Sequence, residues 1–163
     1  MKAVLISIQP KWCEKIANGE KTIEVRKSRP KLETPFKVYI YCTYGNAKEN
    51  YCVGKRGKVI GEFVCDGIDE FHSYELEPSK SFYDIEKARL DLFLKESCLS
   101  YNEVCNYRKN LPYFKPLYGW HISNLKIYDK PKELGEFFTP MGKRPSYMLE
   151  RPPQSWCYVE VER

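Results

Sequence analysis

The stretch NGEKTIEVRKSRP, residues 18–30, decides how the rest of the chain is interpreted. Gly19 comes directly after a short helical pattern, and a glycine in the left-handed conformation commonly ends a helix. The residues that follow alternate, so that Ile23 and Val25 would share one face of a strand, with Glu24 on the charged opposite face. This stretch therefore predicts the end of a helix, followed by a strand with one apolar and one charged face.

The residues on either side of this stretch predict further strands and a helix. AVLISI, residues 3–8, is a short apolar, β-branched run typical of a buried strand. Pro10 suits the first turn of a helix that we expect to reach about Asn18, because the N–H that proline lacks has no partner in that turn. FKVYIYCTY and GKVIGEFVCDGIDEF have the composition of two more strands. The polar, basic loop between them contains Asn46, Lys48, Asn50, Lys55 and Arg56.

The middle of the chain, residues 82–110, has a helical pattern. A first helix is predicted from Phe82 to about Ser97, and a second begins at the capping box formed by Ser100 and Glu103. Acidic residues are concentrated here, so we expect this helical insertion to lie on the far side of the molecule from the basic first third. GWHISNLKIYD and SWCYVEVE then predict two closing strands.

The order of these elements predicts the fold class. One strand, one helix, three strands, two helices and two strands do not alternate as a doubly wound parallel sheet requires. We therefore expect an α+β fold, a small mixed β-barrel with flanking helices and the helical insertion at residues 82–110. A chain of 163 residues is long enough for one domain with its own core, so residues 1–163 are interpreted as a single domain.

Charge is unevenly distributed along the chain. The net charge is +5, but residues 1–60 hold 13 Lys and Arg against 5 Asp and Glu. Residues 61–110 hold 6 against 11, and the remainder holds 8 against 6. A basic first third favours an anionic partner such as nucleic acid or a nucleotide. A cluster of solvated lysines without any partner is equally compatible with this distribution.

The seven cysteines, an odd number, together with the lack of a signal-peptide pattern, indicate a reduced, cytoplasmic protein. No two of them lie at C-x-x-C spacing, and only His72 and His121 could complement them as zinc ligands. We therefore expect inert buried thiols, with neither a metal nor a cofactor. No apolar run of the sequence is long enough to span a bilayer, so no membrane partner is expected.

The charged residues of the opening stretch could form a site. Arginine offers a planar fork to phosphate, lysine a mobile point charge, and glutamate can orient both. Lys21, Glu24 and Arg26 could therefore bind an anion, if the backbone twists enough at the helix exit to bring the lysine to the face of the other two. The same trio could perform acid–base chemistry if the lysine is buried. A surface ladder of salt bridges, worth at most ~1 kcal/mol for each exposed pair, is the third interpretation.

The pattern G-x-K-x-x-E-x-R, formed by Gly19, Lys21, Glu24 and Arg26 after a strand and a short helix, resembles the signature of the ASCH domain family. ASCH domains are small β-barrels of the PUA-like superfamily, and the resemblance implies a role around RNA or nucleotides. It also implies that the lysine and the arginine line a cleft between the first helix and the barrel. We therefore expect RNA or a modified nucleotide as the partner, with Lys21 and Arg26 gripping its anionic group and Glu24 holding them in place.

A hydrolase is the alternative that the resemblance implies. One bacterial subgroup of the family deacylates N4-acetylcytidine with a lysine, a threonine and a distal glutamate, and other members are ribonucleases. The threonine of that subgroup falls at Glu24 here, and the family assigns no role to Thr22, so the reaction does not carry over directly. In the hydrolase hypothesis Lys21 and Glu24 act as acid and base on an acylated nucleobase or nucleoside, or on an RNA phosphodiester. The burial of Lys21 discriminates between the binding and the hydrolase hypotheses. A catalytic lysine should be enclosed, whereas a phosphate-binding lysine should lie at the rim of the cleft.

Three side chains near the carboxyl end are candidates for contact with a base. Trp120 follows a glycine at the start of a predicted strand and Trp156 follows Pro-Pro, where an indole can face a cleft and stack on a base. Gln154 could read a base edge. Packing in the core is the alternative for both tryptophans, and His121 is interpreted as an ordinary strand residue. A third hypothesis is a protein–protein adaptor that uses residues 82–110 as its contact surface.

Overall fold

The strands and helices lie within residues 2–76, 83–141 and 145–160, the part of the chain that this computed structural model describes; for residues 83–86 it describes the backbone alone. The strands are β1 (Lys2–Ile8), β2 (Ile23–Arg26), β3 (Phe36–Cys42), β4 (Lys58–Cys65), β5 (Ile68–Phe71), β6 (Leu117–His121), β7 (Ser123–Lys132) and β8 (Trp156–Glu160). The α-helices are α1 (Pro10–Ala17), α2 (Ser73–Leu76), α3 (Tyr83–Ser97) and α4 (Tyr101–Arg108), and a short 3-10 helix spans Leu134–Glu136. The predicted helix start, Phe82, falls outside the described residues. None of the described helices is long and apolar enough to cross a membrane.

The described strands form two sheets. The larger has the order β7-β4-β3-β1-β8, in which β1 and β3 are parallel and the other neighbours are antiparallel. The smaller has the order β2-β6-β5 and is antiparallel throughout. The α+β class is therefore confirmed. The predicted barrel is not, because neither sheet of the described strands closes on itself.

Two segments that the sequence predicts as single strands bend and contribute to both sheets. GKVIGEFVCDGIDEF breaks at Asp66 and Gly67 into β4 of the larger sheet and β5 of the smaller. GWHISNLKIYD breaks at Ile122 into β6 of the smaller sheet and β7 of the larger. The chain thus passes from one sheet to the other at two corners, a device that joins the sheets of orthogonal β folds. The strands that would have closed a barrel are used instead in a second sheet.

Apolar side chains form three clusters around these sheets. Alternation on β1 places Val4 and Ile6 in one cluster and Leu5 in another, so both faces of the strand are buried. The first cluster also contains Trp120 of β6 and therefore lies between the two sheets. The second covers the opposite face of the larger sheet and includes Phe137. The third lies between the smaller sheet and helices α3 and α4.

The helical insertion packs against the opening stretch, and the prediction that it lies far from the basic first third is wrong. Leu90 and Phe93 of α3 are buried against the apolar face of β2. The N–H of Thr22 donates to the carbonyl of Glu96 at the end of α3 (2.9 Å). Burying one large apolar side chain stabilises a fold by about 1.5–3 kcal/mol, which exceeds the screened interaction of distant surface charges. The need to cover the apolar face of β2 therefore decides where the helices lie.

Candidate functional site

A turn after α1 brings Lys21 to the side on which Glu24 and Arg26 lie. Gly19 has φ = +81°, the left-handed conformation, and directly follows the last turn of α1. The chain then folds back, and the N–H of Lys21 donates to the carbonyl of Lys15 in the helix (3.0 Å). Because Lys21 precedes β2, the alternation of that strand does not fix the direction of its side chain.

Glu24 lies between two cations and forms an ion pair with each. Its Oε1 lies 2.9 Å from Nη2 of Arg26, and its Oε2 lies 3.4 Å from Nζ of Lys21. Nζ of Lys21 also donates to the carbonyl of Ser97, and Nη2 of Arg26 to the carbonyl of Ser7, both at 2.6 Å. All three charged side chains are buried, at 2%, 8% and 10% exposure for the lysine, the glutamate and the arginine. These residues, the buried triad from here on, are therefore not the exposed ladder of the third interpretation.

The buried triad lines a cleft of about 430 Å³ that is open to solvent. Residues of α1, the end of β1, β2 and α4 line this cleft, together with single residues from the segments after β3 and before β8. Its volume lies within the range of roughly 300–1,000 Å³ that is usual for small-molecule sites. The uncharged polar side chains that line it are Ser7, Gln9, Thr43 and Gln154.

Two aromatic side chains that the sequence analysis did not select, Trp12 of α1 and Tyr107 of α4, also line the cleft. Nζ of Lys11 lies 4.6 Å from the centroid of the Trp12 ring, and Nζ of Lys21 lies 5.3 Å from it. Nζ of Lys27 lies 4.8 Å from the centroid of the Tyr107 ring. These distances are within the range of cation–π attraction. Each aromatic wall of the cleft therefore has a lysine beside it.

The sequence contains a signal for the α4 wall. Glu103 and Tyr107 lie four residues apart on α4 and line the cleft together, as expected for one helical face, and Leu99 lines it from the position before the N-cap Ser100. The spacing alone does not show what this helical face contacts, because the same face could have packed in the core or been exposed to solvent. Burial raises the pKa of the Tyr107 phenol, consistent with its position in this wall.

The model of the ASCH domain family matches residues 6–125, which is most of the chain. The chain belongs to the ASCH domain family. Solved structures of the ASCH protein from Zymomonas mobilis share its fold. Two single-substitution variants have TM-scores of 0.65 and 0.64 at 18% and 17% identity, and the matches cover 98% and 97% of this chain and 91% and 88% of theirs. A third structure of that protein has a TM-score of 0.54 at 18% identity, covering 97% of this chain and 87% of its own. No curated protein matches the sequence.

The predicted base contact of Trp120 in this ASCH domain is wrong. The side chain is 0% exposed and lies opposite Glu24 in the ladder between β2 and β6. Its ring packs edge-on against Phe36 of the larger sheet, with the centroids 5.9 Å apart. Because it is enclosed between the two sheets, no base can reach it. Its role is to fill the core behind the buried triad.

Trp156 and Gln154, the other two candidates near the carboxyl end, occupy different positions. Gln154 lines the cleft, as a residue that reads a base would have to. Trp156 is half-buried beside Trp120, with the centroids 6.0 Å apart, and its indole N–H donates to the hydroxyl of Ser28 (3.1 Å). Trp156 is not among the residues that line the cleft. Trp12 and Tyr107 are therefore better placed than either predicted tryptophan to contact a ligand there.

The charged side chains that line the cleft balance one another. Lys21 and Arg26 supply two positive charges, and Glu24 and Glu103 supply two negative ones. A hydrogen bond from the backbone N–H of Ser100 holds the pKa of the Glu103 carboxyl below its ordinary value. Among the described residues, no three His, Cys, Asp or Glu side chains are arranged to hold a metal ion. What the cleft offers is a set of fixed N–H donors and carboxylate acceptors between two aromatic side chains.

Proposed function

We propose that this ASCH domain binds single-stranded RNA and takes one nucleotide of it into the cleft. The observation that carries the proposal is the convergence of Lys21, Glu24 and Arg26 on a solvent-open cleft that Trp12 and Tyr107 also line. Small-molecule sites typically combine aromatic and apolar surface with a few fixed polar groups, and this cleft has both. Its volume of about 430 Å³ suits a ligand of nucleoside size.

The buried triad suits a polar, uncharged base better than a phosphate. Glu24 already pairs with both cations, and backbone carbonyls accept further N–H groups from Lys21 and Arg26. The triad keeps one positive charge, which Glu103 in the same cleft balances, so a phosphate at this depth would lose its hydration without an excess of cationic charge to replace it. The amide of Gln154, which can both donate and accept, adds a group able to distinguish base edges. We therefore propose that residues other than Lys21 and Arg26 contact the phosphates, although the sequence suggested these two as the anion-binding residues.

Two lysines next to the aromatic walls are placed to contact the phosphates. Lys27 is exposed and lies beside the Tyr107 ring, whereas Lys11 is half-buried and lies beside the Trp12 ring. We call them the rim lysines. A base stacked on either ring would place its own sugar and phosphate near one of these ammonium groups. Rim positions allow a lysine to neutralise a phosphate without full desolvation of either charge.

Titration with a single-stranded RNA of about ten nucleotides tests the proposal. Trp12→Ala and Tyr107→Ala should each weaken binding about tenfold or more, because a stacked base contributes ~1–3 kcal/mol. Tyr113→Ala is the matched control, since Tyr113 is 66% exposed and does not line the cleft. Isothermal calorimetry gives the affinities, and circular dichroism checks that each variant is folded. Unchanged affinity in both cleft variants would show that RNA, if it binds, binds elsewhere.

A hydrolase is the second candidate, and the burial of Lys21 favours it. The lysine side chain is only 2% exposed, as expected for a catalytic lysine and not for one that grips phosphate at a rim. Its Nζ lies 3.4 Å from the Glu24 carboxylate, so the two groups could exchange a proton with a ligand bound beside them. Thr22 is exposed and does not line the cleft, so the aliphatic hydroxyls available there are those of Ser7 and Thr43.

Turnover assays separate the two candidates. The wild-type protein is incubated with N4-acetylcytidine and, separately, with single-stranded RNA, and the products are followed by liquid chromatography. The hydrolase predicts turnover of one substrate, which is lost in Glu24→Gln at a temperature where circular dichroism shows that variant to be folded. If the wild type converts neither substrate, the hydrolase hypothesis is rejected for N4-acetylcytidine and RNA, and the RNA titration alone decides whether the cleft is a binding site.

A further inference from the structure

Three of the seven cysteines lie together where β1 ends and α1 begins. Cys13 of α1 and Cys42 at the end of β3 are buried in the first apolar cluster, and Cys52, in the loop between β3 and β4, packs against that cluster. The thiol of Cys13 donates to the carbonyl of Ile8 (3.5 Å), and the thiol of Cys52 donates to that of Pro10 (3.3 Å). The Cys13 thiol also interacts with the thiols of both other cysteines. The three sulfur atoms therefore form one cluster, which neither candidate function uses.

The loop at residues 43–57 presents Cys52 from a fixed backbone. The Arg56 guanidinium donates to four carbonyls of this loop and so closes it into a compact unit. Cys52 has φ = +50°, a left-handed conformation that non-glycine residues seldom adopt. It is the one member of the cluster that is not buried. A small solute can therefore approach Cys52, whereas Cys13 and Cys42 lie behind it.

The chemistry of the three thiols differs accordingly. The interaction with the Cys13 side chain lowers the pKa of Cys52 to about 7, so this thiol ionises more readily at neutral pH than an ordinary cysteine. Burial raises the pKa of Cys13 well above its ordinary value. The thiolate, and not the thiol, is the nucleophile that attacks oxidants. A reactive, accessible cysteine with a second thiol directly behind it is the arrangement typical of reversible thiol oxidation.

We propose that Cys52 is an oxidation site for hydrogen peroxide and small organic hydroperoxides, and that Cys13 resolves it as a disulfide. The Cys52 thiolate attacks the terminal peroxide oxygen, the O–O bond breaks, and the released alkoxide or hydroxide takes up a proton. Cys13 then gives up its proton as its sulfur attacks the sulfur of the Cys52 sulfenic acid, the S–S bond forms, the S–O bond breaks, and the leaving hydroxide takes up that proton as water. One peroxide is reduced by two electrons while two thiols are oxidised. The inference does not depend on the proposed RNA function.

The oxidised protein should contain one defined disulfide. The reduced full-length chain is treated at neutral pH with a small excess of hydrogen peroxide, blocked with iodoacetamide, digested and analysed by mass spectrometry. We expect the loss of two of the seven free thiols, a Cys13–Cys52 cross-linked peptide, and full reversal by dithiothreitol. Cys52 should react about tenfold faster than in the urea-unfolded chain, where a thiol with pKa near 8.5 is only a few per cent ionised at neutral pH.

Variants identify the role of each thiol. Cys52→Ser should abolish the rapid loss of thiols, whereas Cys98→Ser should preserve it, since Cys98 is also half-buried but lies outside the cluster. Cys13→Ala should leave a Cys52 sulfenic acid that dimedone traps. A disulfide from Cys52 to Cys42, oxidation spread evenly over the cysteines, or direct passage of Cys52 to sulfinic acid in the wild type would each overturn the proposal.

Discussion

Glu24 is the residue on which the other buried charges of the cleft depend. Lys21, Glu24 and Arg26 are all buried, and the glutamate is the only carboxylate that pairs with either cation among the described residues. Replacing a whole buried ion network by apolar residues is often tolerated, but removing one partner leaves an uncompensated charge. The stability of the site therefore rests on an intact set of charges and not on any single pair.

Glu24→Gln should lower the free energy of unfolding by about 3 kcal/mol, because it leaves two buried cations without their counter-charge. The double variant Lys21→Met/Glu24→Gln should lose less than the sum of the two single variants, since the methionine removes one of those cations. Urea denaturation of all four proteins measures this cycle. Additivity to within about 0.5 kcal/mol would mean that the lysine and the glutamate are not coupled.

The sequence predicted which charged residues lie together, but it did not predict which aromatic residues line the cleft with them. The alternation of β2 predicted Glu24 and Arg26 on one face, whereas Lys21 joins them only because the chain turns after Gly19, a twist that the sequence allowed but did not require. Their role in binding remains a prediction. Trp120 was misassigned because a glycine neighbour says nothing about the second sheet that covers the indole.

Helix α4 has a capping box at its N-terminus and also carries residues that line the cleft. Ser100 accepts a hydrogen bond from the N–H of Glu103, and the Glu103 carboxylate accepts one from the N–H of Ser100 (2.8 Å). The same helix carries Glu103 and Tyr107 into the cleft wall. Loss of the cap should therefore affect both stability and ligand binding.

Ser100→Ala should destabilise the fold by about 1 kcal/mol, the usual cost of losing a serine N-cap, and should weaken RNA binding by loosening the α4 wall. Ser100→Asp is the matched control, because aspartate caps a helix as well as serine does. Thermal denaturation and the RNA titration measure the two effects. Normal binding in a destabilised Ser100→Ala protein would show that the wall keeps its position without the cap.

A second cluster ties three strands of the larger sheet together through Glu62 of β4. Its carboxylate accepts hydrogen bonds from Tyr128 of β7 and from Nζ of Lys37 of β3, the latter at 3.0 Å. Partial burial alone would raise the pKa of the Glu62 carboxyl, but these hydrogen bonds outweigh it and hold the pKa below its ordinary value of 4.5. A carboxyl with a lowered pKa stabilises the fold above its unfolded pKa, and this contribution is lost as pH falls through the folded value.

Tyr128→Phe should therefore have an effect that depends on pH. Near neutral pH it should cost about 1.5 kcal/mol, since it removes a hydrogen bond to a charged group. The difference from the wild type should shrink as the pH falls below 4.5 and through the lowered pKa of folded Glu62, because protonation of the carboxylate removes the charge that the phenol stabilises. Urea denaturation of both proteins, from neutral pH to below pH 4.5, measures this difference in the free energy of unfolding. A difference that stays constant with pH would show that the phenol acts through packing and not through the carboxylate.

The ends of the helices, which are marked by neighbouring residues, were predicted well. The strands whose ends depend on pairing with other strands were not. Helix α1 runs between Pro10 and Gly19, and α4 begins at its capping box, in agreement with the sequence. The bends at Gly67 and Ile122 were missed, because the composition of β4–β5 and of β6–β7 suits one long strand equally well. Asp66-Gly67 is a local turn signal, but only the competition between the two sheets for partners decides that the chain changes sheet there.

Over the whole molecule, four basic residues of the first third, Lys11, Lys21, Arg26 and Lys27, lie in or beside the cleft. The cleft receives Trp12 and the buried triad from this third, and the rim lysines Lys11 and Lys27 flank it. The acidic insertion contributes the opposite wall through α4, with Glu103 and Tyr107. The uneven charge of the sequence is thus not a separation into two poles. It gives a cleft that is neutral inside, with added positive charge at its rim.

This arrangement predicts how RNA binding responds to salt. Replacing both rim lysines, in Lys11→Ala/Lys27→Ala, should reduce the slope of log affinity against log salt by about 1.4, since each phosphate contact on a single strand contributes about 0.7. Lys126→Ala/Lys130→Ala changes the net charge equally on β7, the edge strand separated from β1 by β4 and β3, and should leave the slope nearly unchanged. Lys21→Met should weaken binding with little change in slope, because in the proposed binding mode the buried lysine contacts a base and not a phosphate. If instead Lys21→Met lowers the slope and the rim variant does not, the anion is held inside the cleft, as the sequence alone suggested.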